Sequence, residues 1–199
     1  DVIDFIILLG NVLDIGTPSD STVSLAKLTA TGSASSSTFL RGDNSWAAAG
    51  GGKVGQVVQT VNTGTETLSS ATPTTISDFT ATITPAATSS KVLVMVNAML
   101  GSSAGDTTGV QLFRDTTQIF MGDAASNRAR STWTTINAAR QLWQMAACYL
   151  DSPSSTSAVA YSCKWFSQGG VAVYLNRTAT DTDTTTYDQR TASSITTIE

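Results

Sequence analysis

Side chains able to do acid–base, nucleophilic or metal chemistry are few in this chain and widely spread. It has no histidine, two cysteines (Cys148 and Cys163) and two glutamates (Glu66 and Glu199). Without histidine no Ser-His-Asp or Cys-His arrangement exists, and no imidazole is available as a base near neutral pH. Two carboxylates would suffice for glycoside hydrolysis, but Glu66 and Glu199 each sit alone in a Thr/Ser-rich setting. The run DTDTTTYD places Asp181, Asp183 and Asp188 close together. It lacks the ligand spacing of an EF-hand, and hydrogen-bonded turns are the commoner use of such aspartates. Two cysteines make half of a structural zinc set. The expectation is a protein without catalytic residues, metal or cofactor.

What remains is recognition. Aromatic rings stack on sugars while Asn, Asp and Gln hydrogen-bond their hydroxyls, so loops carrying both are candidates for glycan or receptor contact. Trp133, in the polar stretch 127–137 with Arg128 and Arg130 beside it, is one such place; Asn176, Arg177 and Tyr187 are others. The competing reading packs Trp133 into a subunit interface.

Composition narrows the setting. The 199 residues are 41% hydrophobic, enough for one sizeable core plus an extension, but only 13% are charged, against about 25% in ordinary domains. Ser, Thr, Asn and Gln must therefore cover the surface, a habit of rigid extracellular and virion β proteins. A net charge of −4 offers no basic stripe for nucleic acid.

The elements that must position these residues come in three blocks. Residues 1–31 open with VIDFIILL, in which Ile3, Phe5, Ile7 and Leu9 would face one side of a strand and Val2, Ile6 and Leu8 the other. A strand apolar on both faces needs cover. It is buried in an interwoven trimeric stalk, donated into a groove of a neighbouring subunit, or packed back on its own domain. The run is too short to cross a bilayer, which takes about 20 residues, and it lacks the flanks of a signal peptide; no membrane insertion is expected. A weakly alternating piece, VSLAKL, follows.

Residues 32–52, GSASSSTFLRGDNSWAAAGGG, contain too little apolar surface to fold alone. They read as a collar and joint whose large residues, Phe39, Leu40 and Trp46, pack against something else. Arg41-Gly42-Asp43 reads as part of a turn rather than as an integrin ligand, with Arg41 pairing Asp43 of the next chain around a three-fold axis. The run SASSSTFLRGDNSWA resembles the collar of bacteriophage tail-fibre and appendage proteins, which precedes a distal β domain. VGQVVQT, TITPAATSSKVLVMV, VYLNR and SSITTIE resemble such distal domains more loosely. The resemblance implies a homotrimer in a virion, among other virion proteins, whose C-terminal β domain either touches the host surface, where a glycan is a candidate partner, or caps a virion appendage. In such an oligomer Ile3, Phe5, Ile7, Leu9, Phe39, Leu40, Arg41, Asp43 and Trp46 are the residues expected at the contact between copies. An extracellular filament, polymerised by insertion of the first strand, is the alternative.

Residues 53–199 read as short Thr- and Val-rich strands separated by turn residues, with no helical period. The expected strands are 56–61, 74–83, 91–100, 110–113, 118–121, 140–150, 158–166, 171–176 and 193–198. This predicts an all-β chain: an N-terminal extended strand and collar, then a C-terminal jelly-roll-like antiparallel β-sandwich. KVLVMVNAML is nearly continuously apolar and is expected at the centre, covered on both sides. VQLFRDTTQIFM reads as a tight hairpin. A longer hairpin is expected from 143–150 to 158–166 around SPSST. One register sets Cys148 opposite Cys163, and a slip of one residue puts them on opposite faces. Free buried thiols are the expectation for a protein assembled in a reducing cytoplasm.

Overall fold

Alternating Thr, Val and Ile, cut by Gly, Pro, Asn and Asp, produce strands and no α-helix among the described residues. The computed structural model describes residues 27–48, 54–103, 105–137, 141–184, 186 and 188–199. The expected interface residues Ile3, Phe5, Ile7 and Leu9 lie outside them. The chain divides between Gly52 and Lys53 into two compact units.

In the first unit, β1 (Thr38–Leu40) and β2 (Trp46–Ala48) pair as an antiparallel hairpin, with Leu40 opposite Trp46. The turn between them closes on itself. Asp43 Oδ1 accepts from the Ser45 N–H at 3.1 Å and from Ser45 Oγ at 2.6 Å. Asn44 takes a left-handed φ of 59°, and its amide donates to the Thr29 carbonyl at 2.8 Å. Gly32 (φ +84°) passes so close that a Cβ would meet the Trp46 carbonyl oxygen at 2.6 Å, so only glycine fits. The Arg41-Gly42-Asp43 tripeptide is thus turn structure, while Phe39 and Leu40 stay exposed.

The second unit is a sandwich of two antiparallel sheets. The first sheet centres on β6 (Val92–Ser102). Along one side of it runs β10 (Leu142–Asp151); on the other, β13 (Ser193–Ile198) and β12 (Val173–Leu175) share its length. Outside these lie β3 (Val57–Asn62), paired with β13, and β4 (Glu66–Leu68), paired with β12. The second sheet runs β5 (Thr74–Ile83), β11 (Val159–Ser167), β7 (Asp106–Arg114). The far side of β7 is shared by β8 (Thr117–Ile119) and β9 (Trp133–Asn137).

The inward residues of the two sheets make one core. Phe79, Ile83, Leu112, Tyr161 and Trp165 from the second sheet meet Val92, Val94, Leu100, Leu175 and Ile195 from the first. A buried polar clamp ties them across the gap. Asp151, on β10, accepts from Tyr161 Oη at 2.7 Å and from Arg114 Nη1 at 3.0 Å, and both donors stand on the opposite sheet.

Three expectations are corrected. The hairpin of 143–150 with 158–166 does not form: β10 pairs with β6 and β11 with β5 and β7, so the SPSST segment crosses between sheets. The alternation of each strand allowed the local pairing, but full burial of both inward faces requires different partners. Cys148 is therefore exposed on one sheet and Cys163 buried in the core; both thiols are free. Second, β6 is central but covered on one face only: Val92, Val94 and Val96 are buried, whereas Met95 is 45% exposed. Third, β4 and β9 were missed, since Glu66–Leu68 is very short and Trp133–Asn137 looked like polar loop. The Val110–Met121 hairpin does form, around Asp115-Thr116, with Arg114 opposite Thr117 and Asp115 at φ 51°.

Candidate functional site

The expected residues Arg128 and Arg130 lie in the segment from Phe120 to Thr132, which links β8 to β9 beside the far edge of β7. Its shape is set by its own polar groups. Arg130 Nε donates to the Gly122 carbonyl at 2.7 Å, and the Arg130 carbonyl accepts from Gln111 at 2.8 Å and Gln118 at 3.0 Å. The Thr132 hydroxyl receives the Leu112 N–H at 2.8 Å. Long as it is, the loop is tied at its base, and residues 121–124 and 126–129 stand exposed.

Arg130 is thus a strut, and Arg128 is the cation presented to solvent. Trp133 opens β9 opposite Val110 and is half-buried against the core, its Nε1 enclosed without a hydrogen-bond partner. The exposed ring in this region belongs instead to Phe120, 42% exposed and stacked on Tyr149 with ring centroids 4.9 Å apart. Phe120 holds a left-handed φ of 47°, a conformation bulky residues adopt at a cost of about 1–3 kcal/mol and one that clusters at functional sites. Met121 beside it is exposed as well. Sequence reasoning missed Phe120, yet a signal existed: in a strand Ile119 and Phe120 must face opposite ways, and only one of them can enter the core.

The remaining expected residues are scattered. Asn176 is fully buried (φ 58°): its amide donates to the Asn62 and Gly64 carbonyls, at 2.9 and 2.8 Å, and its oxygen accepts from Ser193 Oγ at 2.6 Å. It knits β3, β12 and β13 together and is not offered to a ligand. Arg177 lies over the Tyr174 ring at 4.0 Å and donates to the Thr178 carbonyl and to Thr67 Oγ1. Tyr187 lies outside the described residues. The aspartate run forms a turn. Hydroxyls of Thr180, Thr182 and Thr178 donate to Asp188 and hold its carboxyl well below the usual range. Asp181 pairs with Arg190 at 2.8 Å and with Arg177 at 3.9 Å.

Carboxylates elsewhere are also engaged. Glu66 accepts from the Ser77 N–H at 2.9 Å, and Glu199 from the Ala86 N–H at 2.8 Å. Glu66 and Asp78 line an open cavity of about 380 Å³ together with Asn62, Thr63 and Thr65. Val61 and Leu175 contribute apolar walls, and it has no aromatic one. Among the described residues no group of three or more His, Cys, Asp or Glu is placed to hold a metal ion, and no helix is long and apolar enough to cross a membrane. No protein-family model matches the chain, and the curated proteins contain no match to it.

Proposed function

We propose that this chain is a non-enzymatic structural protein of a virion, a homotrimeric phage fibre or appendage whose C-terminal domain attaches to a host-surface glycan. The observation that carries the reading is the strand order of the sandwich. Counting β3/β4, β8/β9 and β12/β13 as one position each, the eight positions along the chain lie in the order 1-8-3-6 in one sheet and 2-7-4-5 in the other. That order supports the jelly-roll reading, an architecture used by viral capsid and lectin domains. Supporting it are the collar run SASSSTFLRGDNSWA and a surface on which Ser and Thr replace charge. The exposed ring of Phe120, next to Met121, and the exposed Arg128 farther along the same loop offer a stacking face and a hydrogen-bond donor for a sugar. Fold alone does not assign function, so the test addresses the site. The purified protein is applied to a microbial glycan array, alongside Phe120→Ala and Arg128→Ala variants. Binding that is lost in the variants, with no release of reducing ends, is expected. Binding unchanged in both, or hydrolysis of a bound glycan, overturns the reading.

A further inference from the structure

The outer face of the first sheet is uncharged along four of its strands. Alternation puts three positions of β3, three of β13, five of β6 and five of β10 on that face, and none is Asp, Glu, Lys or Arg. The register lines up its rows. Leu150, Leu93, Ile198 and Val57 lie side by side across the four strands, and the next row holds Cys148 and Met95. Leu150 and Val57 are each 58% exposed. An uncharged face that leaves an apolar row of this kind exposed on a folded domain marks an interaction surface.

The adjoining edge is equally unguarded. Among the described residues β10 has no partner on its outer side, and Leu142–Leu150 carries no charge, proline or bulge to discourage pairing. At the middle of the face is a depression of about 460 Å³ between Met95, Ala146 and Cys148. Asn97 lines it, and its side-chain oxygen is enclosed with no hydrogen-bond donor. Gln144, exposed on the rim, carries an amide of the kind that oxygen lacks.

We infer that this face of the β10–β6–β13–β3 sheet is where copies of the chain meet, with the same face of each copy turned toward their common symmetry axis. A second copy fits better than a foreign partner for two reasons. An uncharged face meets itself without like-charge repulsion although the chain carries a net −4, which is what a symmetric contact requires. The area is also sufficient. Strands about 4.8 Å apart with residues about 3.4 Å apart give a four-strand face on the order of 500 Å² per copy before side-chain relief, so on the order of 1,500 Å² in all when three copies turn it inward, comparable with the total of about 1,600 Å² that a specific interface buries. The inference goes beyond the fibre reading by placing the contact on the sandwich; a trimer held together elsewhere overturns it and leaves that reading standing.

Cys148 is a built-in reporter, and Cys163, enclosed in the core, is its control. The full chain is examined by light scattering and by iodoacetamide modification followed by intact mass, over a dilution series and in Met95→Glu and Leu150→Glu variants. These side chains are 45% and 58% exposed, so the substitutions burden the interface and not the core. The expected result is an oligomer with slow Cys148 modification, accelerating as dilution lowers the mass. The variants should be smaller species in which Cys148 reacts at least about tenfold faster, as the dissociated fraction dictates, while Cys163 stays unmodified. A wild-type monomer, or an oligomer with freely reactive Cys148, overturns the inference. So does an oligomer that persists in both variants, or a monomer with protected Cys148, which would put another segment of the same chain on the face. Should a variant unfold, exposing Cys163, the wild-type dilution series decides by itself.

Discussion

Replacing Asp151 by alanine tests whether the polar clamp between the sheets contributes what its geometry implies. Asp151 is 4% exposed and is the acceptor for two groups from the other sheet, the Arg114 guanidinium and the Tyr161 hydroxyl. The 2.7 Å bond from Tyr161 has the short length of a charge-assisted O–H···O contact. Removing the carboxylate leaves a hydroxyl buried without an acceptor and a largely enclosed cation without a counter-charge; breaking such a pair costs about 3–5 kcal/mol. Tyr161→Phe deletes only one bond to a charged group and keeps the packing of the ring, which should cost about 1.5–3 kcal/mol. Against a total stability of about 5–15 kcal/mol, the alanine variant should be severely weakened. With a guanidinium slope near 4 kcal/mol/M, about twice a mid-range urea value, its unfolding midpoint should fall by about 1 M, and that of Tyr161→Phe by about half as much. Fluorescence-monitored denaturation measures both. Equal midpoints for Asp151→Ala and the wild type, or a larger loss in Tyr161→Phe than in Asp151→Ala, would refute the clamp.

Two further outcomes are expected. Gly109→Ala would drive a Cβ to 2.2 Å from the ring of Phe166, which is buried and must shift to admit it; a loss of about 1–3 kcal/mol is expected from such overpacking, read as a lower thermal midpoint, and a wild-type midpoint would mean that the ring moves freely. Acid should also weaken the fold. The Ser167 hydroxyl and the N–H groups of Gly169 and Thr107 hold Asp106 below its ordinary value, and Asp188 and Glu199 are lowered similarly by their donors. A carboxyl depressed in the folded state stabilises above its unfolded value of about 4 and loses that contribution as pH falls through the folded one. Urea midpoints should therefore drop below pH 4, and Asp106→Asn should shallow that drop; a flat profile to pH 2 would contradict the assignment.

Much of the architecture was legible locally. Thr74–Ile83 and Ser193–Ile198 begin and end where alternating Thr, Ser and Ile meet turn residues, and the Asp115-Thr116 turn was visible between VQLFR and TQIF. Period-two burial is a property of a strand by itself, whatever it pairs with. For the same reason Asn176 was misjudged: nothing in VYLNR distinguishes an exposed polar residue from one enclosed by Asn62, Gly64 and Ser193, more than a hundred positions away in two cases and 17 in the third. Nor does anything local distinguish Trp133 from loop, because its strand exists only by pairing with β7.

The sequence by itself determined that the chain is all-β, that it lacks the residues for histidine-based catalysis, and which side chains of each strand share a face. Partner choice came from the tertiary structure. β10 and β11, separated by a short Ser/Pro segment, carried every local sign of a hairpin, yet joining different sheets lets Met145 and Tyr161 enter one core from opposite sides. That gain arises from contacts between residues remote in sequence. It also left Cys148 and Met95 on a face whose outward exposure no local pattern of KVLVMVNAML distinguishes from burial.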